Sequence, residues 1–252
     1  MNHAAGPRAW AADAGAAAHT FAEALDDVVE IGGSDGHHLQ RVRRLRAGEV
    51  VTVADGAGTW RRYRIDASSS GSLRLAALGP VTQEPDLLPR VSLALALTKA
   101  GALDTVVARC TELGVARITP VRTRRAVVRW DDAQAVRALD RLRSAARAAA
   151  AQSRRARLPE IAPLTDLDVI ASYPGVVVAD RGGAAADALD APSGVGWTVV
   201  VGPEGGLDPE ELTRMGDKPR LGLGPFVLKA ETAPIAAVAV LIEHAGRVCR
   251  EL

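Results

Sequence analysis

The chain has 252 residues, of which 48% are hydrophobic, and its formal net charge is +1. This length is sufficient for one or two domains with ordinary hydrophobic cores. Aromatic residues make up only 3% of the chain, which argues against base recognition on platforms of aromatic side chains. The amino-terminal residues lack the basic segment and apolar core of a signal peptide. Residues 235–242 form an apolar stretch too short to span a membrane, so we expect a cytoplasmic protein.

The charged residues are unevenly distributed along the chain. Residues 41–157 contain 23 basic and 10 acidic side chains, whereas the remainder contains 8 basic and 20 acidic ones. A division of this size is typical of a protein that binds a polyanion such as RNA. Arg122, Arg124 and Arg125 directly follow a predicted strand and are the strongest candidates for phosphate contact. The arginines of the long helix predicted after them are equally well explained as a solvated helix face.

The first part of the chain, residues 1–81, is predicted to form a small antiparallel barrel. A short amphipathic helix over residues 37–45 precedes the barrel strands. The predicted strands are residues 50–53, 59–65 and 73–78. Turn signals between them occur at a spacing typical of such barrels. Residues 82–89 contain two prolines among polar neighbours, and we predict that they form a linker.

The second part, residues 82–252, is predicted to be an α/β domain. The predicted strands are residues 91–97, 117–120, 176–179, 198–201 and 220–223. The predicted helices are residues 103–113, 131–151 and 232–248, with a further helix beginning after Asp208. Strands and helices that alternate in this way imply a parallel sheet with helices on both faces.

Two glycine-rich loops follow predicted strands of this domain. The strand at residues 198–201 runs into Gly-Pro-Glu-Gly-Gly at residues 202–206. A helix begins directly afterwards, because Asp208 is a favourable N-cap and Glu211 completes a capping box. The second loop, residues 221–225, also follows a strand. Open α/β sheets bind ligands at the carboxyl ends of their strands, so two such loops favour a ligand site over simple tight turns.

These loops resemble those of the bacterial 16S ribosomal RNA uracil-N3 methyltransferases, a branch of the SPOUT superfamily. The resemblance rests on the motif GPEGG at residues 202–206 and on LGPFVLKAETA at residues 223–233. Weaker similarities occur in the same order at residues 38–44, 99–101, 111–115, 118–120, 151–155 and 159–161. Together they extend from about residue 36 to the carboxyl end.

The resemblance implies a fold and a cofactor. The expected fold is α/β, with a PUA-like β-barrel domain that binds RNA at residues 1–81 and a SPOUT-type methyltransferase domain at residues 82–252. A trefoil knot is expected near the carboxyl end, although knots are very rare in proteins. The cofactor implied is S-adenosylmethionine. The positions that would bind it are Ala179, Asp180, Gly202, Pro203, Glu204, Gly205, Gly206, Leu221, Gly222, Leu223, Gly224, Val227, Leu228 and Thr232.

The resemblance and the charge distribution together predict the RNA contacts. The candidate RNA-binding residues are Arg41, Arg44, Lys99, Arg122, Arg124, Arg125, Arg154 and Arg155. The expected partner is 16S ribosomal RNA within the small ribosomal subunit. No metal is expected, because the five histidines and two cysteines are scattered along the chain.

Lys229 and Glu231 are the candidate catalytic residues. Transfer of a methyl group to uracil N3 is an in-line displacement that also requires loss of the N3 proton. Glu231 is assigned as proton acceptor or ligand orienter, and Lys229 as a cation near the uracil oxygens. An alternative explanation for Glu231 is an acidic residue placed favourably at a helix amino terminus.

A homodimer is expected in which the helix at residues 232–248 lies beside a two-fold interface. Its apolar face contains Ile235, Val238, Leu241 and Ile242, which pack either on their own sheet or on a second subunit. Phe226 and Lys229 stand where the family commonly has arginine. Arginine is not equivalent to either residue, so two alternatives stay open: methylation of another RNA site, and a noncatalytic RNA-binding protein.

Overall fold

The computed structural model describes residues 10–69, 71–192 and 196–251, which form two compact units. The first unit contains the described residues up to Asp86 together with Arg147–Leu158. The second contains Leu87–Ala146 and the described residues from Pro159 onwards.

The first unit is built on a five-stranded sheet. Its strands are β1 (Ala18–Phe21), β2 (Val28–Ile31), β3 (Val50–Ala54), β4 (Thr59–Ser69) and β5 (Ser72–Gln83). Their order in the sheet is β1-β3-β4-β5-β2. All neighbours pair antiparallel except β1, which pairs parallel with β3. The prediction of a purely antiparallel barrel is therefore wrong at the β1 edge of the sheet, because β1 was not predicted and pairs parallel with β3.

Two further expectations for this unit are corrected by the structure. The first helix begins earlier than predicted, as α1 (Gly33–His37), and it continues as a π-helix over His38–Val42. The predicted linker begins too early, because β5 extends to Gln83 and Glu84 is only 3% exposed. A carboxylate oxygen of Glu84 accepts the backbone N–H of Ala156 at 2.9 Å, which explains why this polar residue is inside.

The second unit is built on a parallel sheet of seven strands. They are β6 (Arg90–Ala96), β7 (Arg117–Arg122), β8 (Glu160–Ile161), β9 (Thr165–Asp166), β10 (Val176–Ala184), β11 (Gly196–Val201) and β12 (Arg220–Leu221). The order is β12-β10-β11-β6-β7-β8, and β9 also pairs with β7. Every one of these pairs is parallel, as the alternating pattern predicted.

Helices cover both faces of this sheet. They are α2 (Ala100–Leu113), α3 (Asp132–Ser153), α4 (Leu167–Ala171), α5 (Pro209–Met215) and α6 (Thr232–Glu251). Alternate residues of β6 enter two different cores, because side chains of a strand point to opposite faces. Leu93 and Leu95 pack with residues of α2, α3 and α6, whereas Ala94 packs with residues of α4 and α5.

The carboxyl ends of the central strands lie at one edge of the parallel sheet, and the loops that follow them meet there. Among the helices of the described residues, none combines the length and apolarity needed to cross a membrane.

Candidate active site

An open cleft of about 360 Å³ lies where the second half of β10 meets the loops after β11 and β12. We call it the cofactor cleft. Its walls are formed by Arg125, Ala179, Asp180, Arg181, Val201, Gly202, Pro203, Gly205, Gly206, Leu207, Leu212, Leu223, Gly224, Phe226, Val227, Leu228 and Ala233. Glycine backbone, apolar side chains and a few charged groups are the usual lining of a small-molecule site, and the volume falls within the usual range.

The cleft brings together most of the residues predicted to bind the cofactor. Those that border it are Ala179, Asp180, Gly202, Pro203, Gly205, Gly206, Leu223, Gly224, Val227 and Leu228. Four predicted residues lie elsewhere. Leu221 is fully buried in the core, Glu204 is exposed on the loop, and Thr232 begins α6. Gly222 borders a separate cleft beside α6.

Gly222 allows the backbone to pass close to β10. A Cβ atom at this position would lie 2.3 Å from the carbonyl oxygen of Gly183, a distance that no side chain can accept. The N–H of Gly222 also donates to the carbonyl of Ala184 at 2.7 Å. The glycine predicted as a ligand contact therefore has a structural role at this crossing.

The loop after β11 is shaped by its glycines. Gly206 has a φ of 70°, in the region that glycine adopts most readily, and its N–H donates to the carbonyl of Pro203 at 2.8 Å. A Cβ atom on Gly202 would approach the backbone nitrogen of Leu207 to 3.1 Å. Gly205 has more room, since its nearest neighbours would be side-chain atoms of Arg125 at 3.7 and 3.8 Å.

Glu211 joins this loop to the arginine-rich loop after β7. The predicted capping box is present: one oxygen of Glu211 accepts the N–H of Asp208 at 2.8 Å. The other oxygen accepts the N–H of Arg124, also at 2.8 Å. Glu211 is only 4% exposed, so both hydrogen bonds are shielded from water.

The same contacts bring Arg125 to the cofactor cleft. Its Nη1 donates to the carbonyl of Gly205 at 3.1 Å, and its Nε lies 3.4 Å from a carboxylate oxygen of Asp208. Its neighbour Arg124 pairs with Glu210 and points to a different cleft. Arg125, predicted to contact RNA, is thus a wall residue of the cofactor cleft. Arg181 and Phe226 also border this cleft.

The remaining candidate RNA contacts are divided between the units. Lys99, Arg122 and Arg124 are exposed in the second unit, and Arg41 and Arg44 are exposed in the first.

Arg154 and Arg155 also belong to the first unit. Arg154 is half-buried, with a φ of 58°. Burial lowers the pKa of Arg155 to about 10, partly offset by the nearby Glu84 carboxylate. This environment favours a structural role for Arg155.

The candidate catalytic residues Lys229 and Glu231 are exposed and follow Leu228 directly. The carbonyl of Lys229 accepts the N–H groups of Thr232 at 2.9 Å and Ala233 at 3.0 Å, which closes the first turn of α6. Neither side chain is among the described residues that border the cofactor cleft. No cluster of His, Cys, Asp or Glu suited to a metal ion occurs in the described ranges.

Comparisons with known proteins identify relatives of this chain. Residues 85–242 match the family described as RNA methyltransferase domain, and residues 31–77 match the RNA methyltransferase PUA domain. The ribosomal RNA small subunit methyltransferase E of Mycobacterium bovis is 33% identical over 84% of this chain and 84% of its own length. The protein of the same name from Bacillus subtilis is 27% identical over 84% of this chain and 88% of its own length.

A solved structure is similar in fold. The ribosomal RNA small subunit methyltransferase E of Neisseria gonorrhoeae, bound to S-adenosyl methionine, has a TM-score of 0.79 and 25% identity. The match covers 88% of this chain and 95% of that protein. The predicted fold class, a PUA-like domain followed by an α/β methyltransferase domain with a parallel sheet, is confirmed.

Proposed function

The chain belongs to the family of ribosomal RNA small subunit methyltransferase E, and on this premise we propose that it methylates N3 of a uridine in 16S ribosomal RNA. The methyl donor in this proposal is S-adenosylmethionine. The observation that carries it is the cofactor cleft, because most of the residues that motif similarity assigns to the cofactor converge there from β10 and from the loops after β11 and β12.

The cleft residues fit the proposed cofactor. Gly205 and Gly206 have no side chains, so backbone amides and carbonyls can approach an adenosine closely. Leu223, Val227 and Leu228 supply apolar surface for the adenine ring. The solved relative from N. gonorrhoeae, which is bound to the same compound, supports this assignment. When bound, S-adenosylmethionine supplies an activated methyl group for in-line displacement.

The residues of the chain act by positioning the acceptor and handling its proton. In the proposed mechanism the cleft holds the acceptor nitrogen in line with the methyl group, which accounts for most of the acceleration. Glu231 accepts the N3 proton, and Lys229 stabilises negative charge on the uracil oxygens. Both side chains are exposed next to Leu228 of the cleft, where a base entering from solvent can reach them.

We propose that the chain passes through a trefoil knot behind this cleft. The close passage of Gly222 against Gly183 supports the proposal, since it packs the segment after β12 tightly against the end of β10.

The proposed substrate is 16S ribosomal RNA in the small ribosomal subunit, which places the reaction in the cytoplasm. The names of the relatives support this substrate. We assign Arg41 and Arg44 of the first unit, and Lys99, Arg122 and Arg124 of the second, to phosphate contacts. These five cations are exposed, as contact with a polyanion requires.

We also propose a homodimer, on a different face of α6 from the one that the sequence suggested. Val238 and Leu241 are fully buried against their own sheet, so that face is already occupied. The outer face of the helix has small residues, Ala236 and Ala239, beside Val240, which is 38% exposed. Small side chains permit close approach of a second helix, and a two-fold interface would place the same face on both sides.

Nucleoside mass spectrometry of ribosomal RNA from a deletion strain tests the proposed function. We expect 3-methyluridine to disappear from 16S RNA and to return when the gene is restored. Loss of a ribose methylation instead would indicate another RNA site, and an unchanged nucleoside profile would indicate a noncatalytic protein.

A further inference from the structure

A second open cleft, of about 500 Å³, lies at the carboxyl ends of β6 and β7 in the same unit as the cofactor cleft. We call it the arginine cleft. Its charged lining consists of Arg122, Arg124, Arg129, Arg214, Asp166, Asp168 and Glu211. Its other lining residues are Leu97, Thr123, Val128, Trp130 and Leu167. The cleft therefore combines a cationic part with an apolar part.

Most of its arginines have carboxylate partners within the protein. Arg122 pairs with Asp166 at 3.2 Å, and Arg214 pairs with Asp168 at 2.9 Å. Arg124 pairs with Glu210. Arg129 differs, because it is exposed and has no ion-pair or hydrogen-bond partner among the residues that the structure describes. Its guanidinium is thus the group in this cleft most available to an anionic ligand.

The apolar part offers a surface for a ring. Leu97 is 2% exposed and Leu167 5%, and Trp130, which is half-buried and packs against the core formed with α2, α3 and α6, also borders the cleft. The hydroxyl of Thr123 is buried and has no hydrogen-bond partner among the described residues. A buried polar atom without a partner is uncommon in folded proteins, so a ligand that bonds to this hydroxyl would gain from doing so.

The two clefts share a wall. Arg124 borders the arginine cleft and Arg125 borders the cofactor cleft, and the Cα atoms of consecutive residues are about 3.8 Å apart. Glu211 fixes the backbone of Arg124, while Arg125 is bonded to Gly205 of the cofactor loop. A ligand in the arginine cleft is therefore held close to a ligand in the cofactor cleft.

From this arrangement we propose that the arginine cleft binds one nucleotide of single-stranded RNA adjacent to the methylated one. Its base lies against Trp130 and Val128, and its phosphate is bound by Arg129. A base needs an apolar surface and a phosphate needs a free guanidinium, and the cleft supplies both side by side. This inference rests on the proposed function, because it assumes an RNA substrate.

Two single variants test the proposal: Arg129→Ala and a matched control, Arg137→Ala. Arg137 is also an exposed arginine without a partner among the described residues, and it borders none of the clefts described above. Binding of a fluorescein-labelled single-stranded oligouridylate is measured by anisotropy over a range of salt concentrations. Calorimetry with S-adenosylmethionine shows that each variant is folded and keeps its cofactor cleft.

We expect Arg129→Ala to bind the oligouridylate about tenfold more weakly, because it loses one charge-assisted hydrogen bond to a phosphate. The slope of log affinity against log salt should fall by roughly 0.7, the value for one phosphate contact to a single strand. Arg137→Ala should retain the affinity and slope of the parent. A 4-thiouridine oligonucleotide should cross-link to the segment at residues 126–130.

Equal RNA affinities of Arg129→Ala and Arg137→Ala would overturn the proposal, as would cross-links that all lie outside that segment. A parent protein with no affinity for RNA would overturn both this proposal and the proposed function. A methylation assay separates the two ideas. If 3-methyluridine forms but Arg129→Ala binds like the control, only the arginine cleft is wrong. If Arg129→Ala binds weakly and 3-methyluridine is absent, only the proposed reaction is wrong.

Discussion

At the scale of single residues, Gly205 gives the most direct test of the cofactor cleft. A Cβ atom here would make only ordinary contacts with Arg125, at 3.7 and 3.8 Å, so valine fits without moving the backbone. The rest of the valine side chain would fill space in the cleft. We expect Gly205→Val to lose at least about tenfold in affinity for S-adenosylmethionine, about 1.4 kcal/mol, with its thermal stability unchanged.

Calorimetry measures this affinity, with Gly101→Val as the control. Gly101 is an exposed glycine of α2 with open space around its Cβ position, and it lies outside the cofactor cleft. If Gly205→Val and the parent bind with equal affinity, the loop at residues 202–206 is not part of the cofactor site.

The buried His19 should make the free energy of unfolding depend on pH. It is 4% exposed, and burial lowers its pKa from 6.5 to about 4, while its Nδ1 lies 2.8 Å from the hydroxyl of Thr52. Between these two pH values the unfolded chain binds a proton that the folded chain does not. The stability that the neutral imidazole contributes is therefore complete above pH 6.5 and is lost as the pH falls towards 4.

Urea unfolding of the parent and of His19→Gln at about pH 7 and about pH 4.5 measures this effect. The parent should lose about 2 to 3 kcal/mol more than the variant over this interval. Other titrating groups, including Glu84, whose pKa burial raises, are common to both proteins and cancel in the comparison. Identical losses in the two proteins would contradict the assignment.

The sequence predicted the glycine residues of the cleft but not all of its charged ones. Gly202, Gly205 and Gly206 could be predicted, because two glycine-rich loops that each follow a strand favour a ligand site over simple tight turns. Arg125 was predicted for RNA alone. It reaches the cofactor cleft through Glu211, which lies 87 residues after Arg124, and no local pattern indicates a contact at that separation.

At the scale of elements, Glu211 connects α5, the cofactor loop and the arginine-rich loop. In Glu211→Gln one oxygen can still accept a hydrogen bond. The other oxygen is replaced by an NH₂ group, which cannot accept from the backbone N–H of either Arg124 or Asp208. We expect a loss of about 1 to 2 kcal/mol in the free energy of unfolding, as for loss of a helix cap. Weaker binding of S-adenosylmethionine should accompany it, because Glu211 no longer fixes the backbone of both Arg124 and Asp208, the neighbours on which the Arg125–Gly205 contact depends.

Glu210→Gln is the matched control for this variant. Its carboxylate side chain is 68% exposed and pairs with Arg124, and exposed ion pairs contribute about 0 to 1 kcal/mol. Urea unfolding should give a lower free energy of unfolding for Glu211→Gln than for Glu210→Gln. If Glu211→Gln is no less stable than Glu210→Gln, Glu211 does not have the linking role described here.

The elements that sequence patterns predicted are those with long apolar runs or clear caps. The strands β6 and β11 and the first part of β10, residues 176–179, supply apolar side chains to both cores, and α5 begins with a complete capping box. The two-residue strands β8 and β9 are too short for any periodicity. Strand β1 contains His19, whose burial depends on partners elsewhere in the chain.

At the scale of the whole molecule, the path of the chain could not be read from composition. The segment Arg147–Leu158 belongs to the first unit although it follows much of the second in sequence. Its place there depends on individual long-range contacts, such as the hydrogen bond from Ala156 to Glu84, which have no sequence signature.

The proposed homodimer is tested by light scattering and by mixing variants. The protein at micromolar concentration should have twice the chain mass of 26.3 kDa. We further expect RNA held by the first unit of one subunit to reach the cofactor cleft of the other. Mixing Gly205→Val with the double variant Arg41→Ala, Arg44→Ala should then restore part of the methylation that each alone lacks. A monomer that methylates RNA would contradict both expectations.

Methylation of uracil N3 can be observed in a reaction with purified components. Purified protein is incubated with small ribosomal subunits from a deletion strain and with S-adenosylmethionine that carries an isotope-labelled methyl group. Nucleosides of the 16S RNA are then analysed by mass spectrometry. We expect labelled 3-methyluridine with the parent protein and a strong reduction with Gly205→Val. Label in a ribose or in another base, or no label at all, would contradict this expectation.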